Sequence, residues 1–110
     1  MADENALLDS RLRFQEALEE ILGSEEVYFQ PPSSVRMAYP AIVYHRASEH
    51  SAYANNAPYI WYPCYDVTLI DPDPDSEFVK KIRDGFRYCF FQRPFTADNL
   101  NHYLFRIYYY

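Results

Sequence analysis

Apolar positions recur at helical spacing from the start of the chain. Leu7, Phe14, Leu18 and Ile21 share one stripe, joined by Leu8, Ala17 and Leu22, which predicts an amphipathic helix over Asp3 to Leu22. Asp3 and Glu4 suit the positive end of its dipole, and Gly23 suits its stop. Arg13, Glu16, Glu19 and Glu20 read as its solvated face. Past Gly23 the pattern shortens to strand-like runs. "EVYFQ" (Glu26 to Gln30) is ended by Pro31 and Pro32, and "AIVYHR" (Ala41 to Arg46) begins after Pro40. Ile60 to Asp71 alternates most clearly. Tyr65, Val67 and Leu69 share one face, while Asp66 and Thr68 share a face that meets water or a partner. Pro63 within that run predicts an edge position or a bulge.

The helical period returns in "DPDPDSEFVKKIRDGF". Asp73 reads as a cap with Pro74 in the first helical position, Phe78, Val79 and Ile82 as the buried stripe, and Gly85 as the end. A fourth strand is predicted over Phe86 to Gln92, a turn or loop over 93–99, and a fifth strand over Leu100 to Tyr110. On that last strand Tyr103, Phe105, Ile107 and Tyr109 share one face, and Leu104, Arg106, Tyr108 and Tyr110 the other.

The order α-β-β-β-α-β-β is not a βαβ alternation. It predicts an α+β domain spanning residues 1–110: a mostly antiparallel sheet of about five strands with both helices on one face. The other face, expected to be rich in Tyr, is left for a second sheet or another subunit. Residues 47–59 ("ASEHSAYANNAPY") are polar and small, and read as a projecting loop or arm.

Composition narrows the function classes. Twelve Tyr, eight Phe and one Trp make 19% of the chain, which suits surfaces that are half buried or covered by partners. With two Gly, neither GxGxxG nor GxxxxGK[ST] is present. A net charge of −6 and no basic, aromatic-interleaved stripe disfavour sequence-specific nucleic-acid binding. No apolar run approaches the roughly 18 residues of a membrane span. The acidic start "MADENALLDS" lacks a basic leader, so a reducing compartment and free thiols at Cys64 and Cys89 are expected.

No residue set assembles a catalytic centre by spacing. Asp71, Asp73, Asp75 and Glu77 alternate as in a Ca²⁺ loop, but the Gly and Glu that such a loop needs are missing, which favours a helix cap. His45, His50 and His102 with Cys64 and Cys89 lack CxxC or HxxxH spacing for a metal. Neither cysteine has a visible electropositive setting, and Ser33 and Ser34 lack a Gly-flanked elbow. No cofactor is implied. Contact surfaces remain. Tyr53, Tyr59 and Trp61 in and beside the arm, with Arg46, are candidate anchors on a neighbour, as are Tyr108 and Tyr110 on the last strand. Asp98 and Asn99 read either as the register-setting turn of the last hairpin or as a polar contact patch.

Three segments together resemble one family: "VYFQPPSSVRMAYPAIVY" as its first hairpin, "YDVTLIDPDPDSE" as its central strand and second helix start, and "FTADNLNHYLFRIYY" as its closing segment. The family is the tail terminator, or tail completion, proteins of long-tailed bacteriophages with non-contractile tails. The resemblance covers about residues 12 to 110. It implies a non-enzymatic virion protein, assembled in the host cytoplasm, that forms a hexameric ring at the head-proximal end of the tail. Its partners would be its own copies, the tail tube protein and a head/neck connector, with DNA passing through the ring lumen. It would end tube growth and offer the docking surface for the head. A head-closure protein of the neck is the neighbouring alternative, and a small metal-dependent enzyme a remote one.

Overall fold

Helix α1 (Glu4–Leu22) places Phe14, Leu18 and Leu22 in the interior and keeps Arg13, Glu16 and Glu20 in solvent. The computed structural model that shows this describes residues 4–47 and 63–109. Gly23 ends the helix at φ 77°, donating its N–H to the Glu19 carbonyl at 2.8 Å. That left-handed conformation is one that glycine adopts without steric cost. Five strands follow: β1 (Val27–Phe29), β2 (Ala41–Arg46), β3 (Cys64–Asp71), β4 (Tyr88–Ala97) and β5 (Leu100–Tyr108), with helix α2 (Phe78–Gly85) between β3 and β4. The α+β class and the element order are as predicted.

The strands form one sheet in the order β1-β2-β3-β5-β4. Three of its four pairings are antiparallel. The exception corrects the expected first hairpin: β1 and β2 run parallel, Val27 opposite Ile42. Residues 30–40 lie between them, long enough to carry the chain back to the starting end of the sheet, and three prolines in that segment keep it out of a helix.

One face of the sheet carries the core. Ile42 and Tyr44, Tyr65, Val67 and Leu69, then Tyr103, Phe105 and Ile107 are buried beneath Phe14, Leu18, Leu22 and Ile82 of the helices. Phe14 lies at its centre, stacked on Tyr65 at 4.5 Å and edge-on to Tyr44 and Phe86 at 5.3 Å. Helix α1 lies over β1 and β2, and α2 over β4. The helices meet at Gly85, where a Cβ would stand 2.8 Å from Ile21 Cδ1. Leu8 does not join the core and is exposed.

Further boundaries shift for identifiable reasons. Pro63 precedes β3, and β3 is the central strand rather than an edge. Helix α2 begins at Phe78, four residues after the expected Pro74 start. Its N-cap, Glu77, makes no side-chain cap hydrogen bond. The preceding segment spends its short side chains two residues ahead instead. Asp71 accepts from the Asp73 N–H at 2.9 Å, Asp73 from the Asp75 N–H at 2.9 Å, and Ser76 from the Phe78 N–H at 3.2 Å. Such local bonds build successive turns that compete with a helical start. Strand β4 continues through "RPFTA", expected to be loop, to Ala97. It pairs only with β5, and an edge strand tolerates Pro94 because only one side needs a ladder. A bulge between Phe91 and Arg93 absorbs Gln92.

Candidate interaction surface

The tyrosines divide between the two faces of the sheet. Tyr28, Tyr88 and Tyr108 lie on the outer face. Tyr44, Tyr65 and Tyr103 point into the helix-covered core. Tyrosine suits this because its ring fills the interior while its hydroxyl can reach a polar group at the margin. The Tyr44 hydroxyl donates to Gln15 Oε1 and accepts from Arg11 at 3.4 Å, and the Tyr103 hydroxyl donates to the Pro74 carbonyl at 2.8 Å. Burial raises the pKa of all three phenols. Among the described residues the Tyr65 hydroxyl has no hydrogen-bond partner.

The second sheet face, which neither helix covers, is mixed. Cross-strand pairing places Val43, Thr68 and Leu104 on it in one row and His45, Asp66, Arg106 and Phe90 in another. The second row holds an ion cluster. Arg106 donates to both carboxylate oxygens of Asp66, at 2.9 and 3.3 Å, and His45 Nε2 stands 3.6 Å from Asp66 Oδ2. The paired carboxylate raises the Arg106 pKa. Asp66 was expected to face water or a partner; its clamp by Arg106 was not anticipated, because the pairing joins residues forty apart in the chain.

Strand β4 is the most exposed aromatic element. Phe90 is 50% exposed, Phe91 42% and Phe95 37%. Phe90 and Phe95 flank Arg93 on the uncovered face, while Phe91, opposite Phe105, lies on the helix side beyond the cover of α2. The ring of Phe95 stacks on His102 at 4.5 Å, and the Arg93 guanidinium stands 5.5 Å from it. Sequence reasoning missed these phenylalanines because Arg93 and Pro94 looked like a loop signal. The exposed pair Leu8 and Leu12 on α1 was missed too. The available signal was angular: both lie well off the helix stripe of Phe14 and Leu18.

The expected anchors fare unevenly. Arg46 lies on the core side, its guanidinium 5.6 Å from the Phe29 ring and 5.7 Å from Tyr65, so it closes one end of the core. Tyr108 is half buried on the uncovered face, edge-on to Phe90 at 6.0 Å. Tyr53, Tyr59, Trp61, Tyr110 and nearly all of the 47–59 arm lie outside the described residues. Asp98 and Asn99 form a two-residue turn with φ of 53° and 62°, closed by Ala97 opposite Leu100. That is the register-setting reading of this segment.

The expected metal candidates are not brought together. His45 sits opposite Asp66 and His102 opposite Ile70, about 13 Å apart along β3. His50 lies outside the described residues. Among the described residues no group of three or more His, Cys, Asp or Glu is placed to hold a metal. Cys64 and Cys89 form no disulfide and lie on opposite faces of the sheet. Burial pushes the Cys89 thiol up to about 11. No helix of the described residues is long and apolar enough to cross a membrane. Compared with known proteins, the chain matches no family model, no curated protein and no solved structure.

Proposed function

We propose that the protein is a structural assembly subunit, a tail terminator that forms a ring at the head-proximal end of a long, non-contractile phage tail. On this reading it performs no chemistry. It caps the last ring of tail tube protein, stops tube growth and presents a surface to the head/neck connector, with DNA passing through the lumen. The ring would be hexameric, as the resemblance implies. The observation that carries the reading is the distribution of exposed large apolar side chains. Among the described residues these are Leu8, Leu12 and Tyr39 on the α1–β1 side of the sheet and Phe90, Phe91 and Phe95 on β4, at the opposite edge. A subunit that contacts neighbours on two sides needs two such surfaces, and isolated monomers rarely expose clustered aromatics without a partner.

The test is made on phage carrying a disrupted copy of this chain's coding region, examined by electron microscopy. Overlong, headless tails are expected, and added purified protein should cap free tubes at one end. Tails of normal length beside heads that have lost their DNA would move the protein to the neck. Normal virions would end the assembly reading.

A further inference from the structure

The two apolar edges also differ in charge. On the β4 side, Arg87 and Arg93 meet no acid within residues 86–97, a net of +2, while Lys80, Lys81 and Arg83 of α2 stand beside Glu77 and Asp84. On the α1–β1 side, residues 8–26 hold six acids against Arg11 and Arg13, a net of −4. The bases of the β4 side are unevenly engaged. Lys80 pairs with Asp84 at 2.8 Å and Lys81 with Glu77 at 3.6 Å, whereas Arg87 and Arg93 make no ion pair among the described residues. Their guanidinium groups lie over Tyr88 and Phe95 at 5.5 Å. On the other edge Leu8, Leu12 and Glu16 follow one another at four-residue steps along a single stripe of α1, with Asp9 beside them.

We infer that the β4 edge of one copy docks on the α1–β1 edge of the next, head to tail, with Arg93 and its flanking phenylalanines against the Leu8–Leu12–Glu16 stripe. The occupant follows from complementarity within the chain itself: each edge presents apolar side chains, and the charges are opposite. A contact between two different surfaces of identical copies is heterologous and propagates into a ring or a filament. The join runs through side chains rather than an added strand. Pro94 and the bulge at Gln92 break the free edge of β4, and β1 offers three residues. The inference rests on the reading of this chain as a ring-forming subunit, and it names the surfaces that would make the ring.

Charge reversal in solution, without tubes, tests it. Analytical ultracentrifugation of the full chain should show concentration-dependent association that weakens as salt rises. Arg93→Glu and Glu16→Arg should each weaken association about tenfold or more, because a like-charge contact replaces an attractive one. Mixing the two single variants should restore it, since each reversed edge then meets its complement, and the double variant should associate alone. Rescue cannot come from a misfolded chain. A wild type that stays monomeric to its solubility limit, or reversals without rescue, would overturn the inference. So would Arg93→Glu that only lowers binding of a fluorescent oligothymidine, which would make the basic edge a nucleic-acid surface. Tube capping by both single variants at wild-type level would leave the terminator reading standing and remove this pairing. Association with rescue but no capping would do the reverse.

Discussion

Strand β5 meets two different environments with similar side chains. Toward the helices it presents Tyr103, Phe105 and Ile107, all buried. Toward the uncovered face it presents Leu104, Arg106 and Tyr108, all half buried. Size and apolarity hardly separate the two rows, yet their surroundings do. The first row sits under Phe14, Leu18 and Ile82 and shares an aromatic cluster with β3. The second has a charge clamp at its middle, Arg106 on Asp66. A covered face of a sheet supplies folding energy, while an uncovered one that keeps aromatics and a solvated ion pair is suited to contact. Substitutions along β5 and its partners can break or sharpen that difference.

The largest effect belongs to Phe105→Ala. The ring is 1% exposed, edge-on to Phe91 at 5.3 Å and opposite Val67. Its removal leaves a cavity under the helices and should cost about 3–5 kcal/mol. Urea unfolding of the monomer reads this, and any loss of assembly should scale with the unfolded fraction. An Ala variant with wild-type stability would mean that this face is not the core.

Arg106→Ala comes next. Both partners of the clamp are about 30% exposed, so solvent screens the pair and the loss is smaller than for a dry one. About 1 kcal/mol is expected, from two charge-assisted hydrogen bonds discounted for exposure. The paired variant Arg106→Met with Asp66→Leu should recover much of it, because no carboxylate is then left without its partner. A double-mutant cycle on thermal unfolding measures the coupling, and a coupling of zero would make the clamp a surface coincidence.

Tyr108→Ala should cost less, about 1 kcal/mol or below, since the ring is half buried and touches Phe90 at its margin. Its effect should instead fall on association measured by sedimentation, with the fold intact by circular dichroism. If Tyr108→Ala unfolds the chain as Phe105→Ala does, the two faces of β5 do not differ in kind.

How much of this was legible follows from the same contrast. The alternation of Tyr65, Val67 and Leu69 and of Tyr103, Phe105 and Ile107 was readable because period two maps directly onto faces. The side taken by Tyr44 was not, because a ring with a polar tip fits a core margin or a contact surface equally well. The register decides, and it depends on partners far along the chain. Strand β4 was legible only to Gln92, since Arg93, Pro94 and Thr96 carry the composition of a loop; they stay in a strand because an edge relaxes the rule against proline. For the same reason the exposed Phe90, Phe91 and Phe95 could not be picked out: they lack alternation when both faces of an edge strand are partly open. The start of α2 was misplaced because Asp and Ser side chains that cap helices also build turns.

The smallest effect carries the opposite sign. Asp98 and Asn99 close the β4–β5 hairpin with both φ values positive, a geometry in which Gly at the second position is preferred. Asn tolerates that region but bears a Cβ, so Asn99→Gly relieves local strain. Gly also adds freedom to the unfolded chain, which takes back part of the gain. The balance should be a stabilisation of a few tenths of a kcal/mol, about the preference for Asn-Gly in such turns. Asn99→Val should destabilise by about 1–3 kcal/mol, because a β-branched residue is poorly tolerated at positive φ. Thermal melts of the two variants should therefore move in opposite directions while both keep the Ala97–Leu100 register. A destabilising Asn99→Gly would show that the Asn99 side chain makes a contact of its own and that the turn is more than a register device.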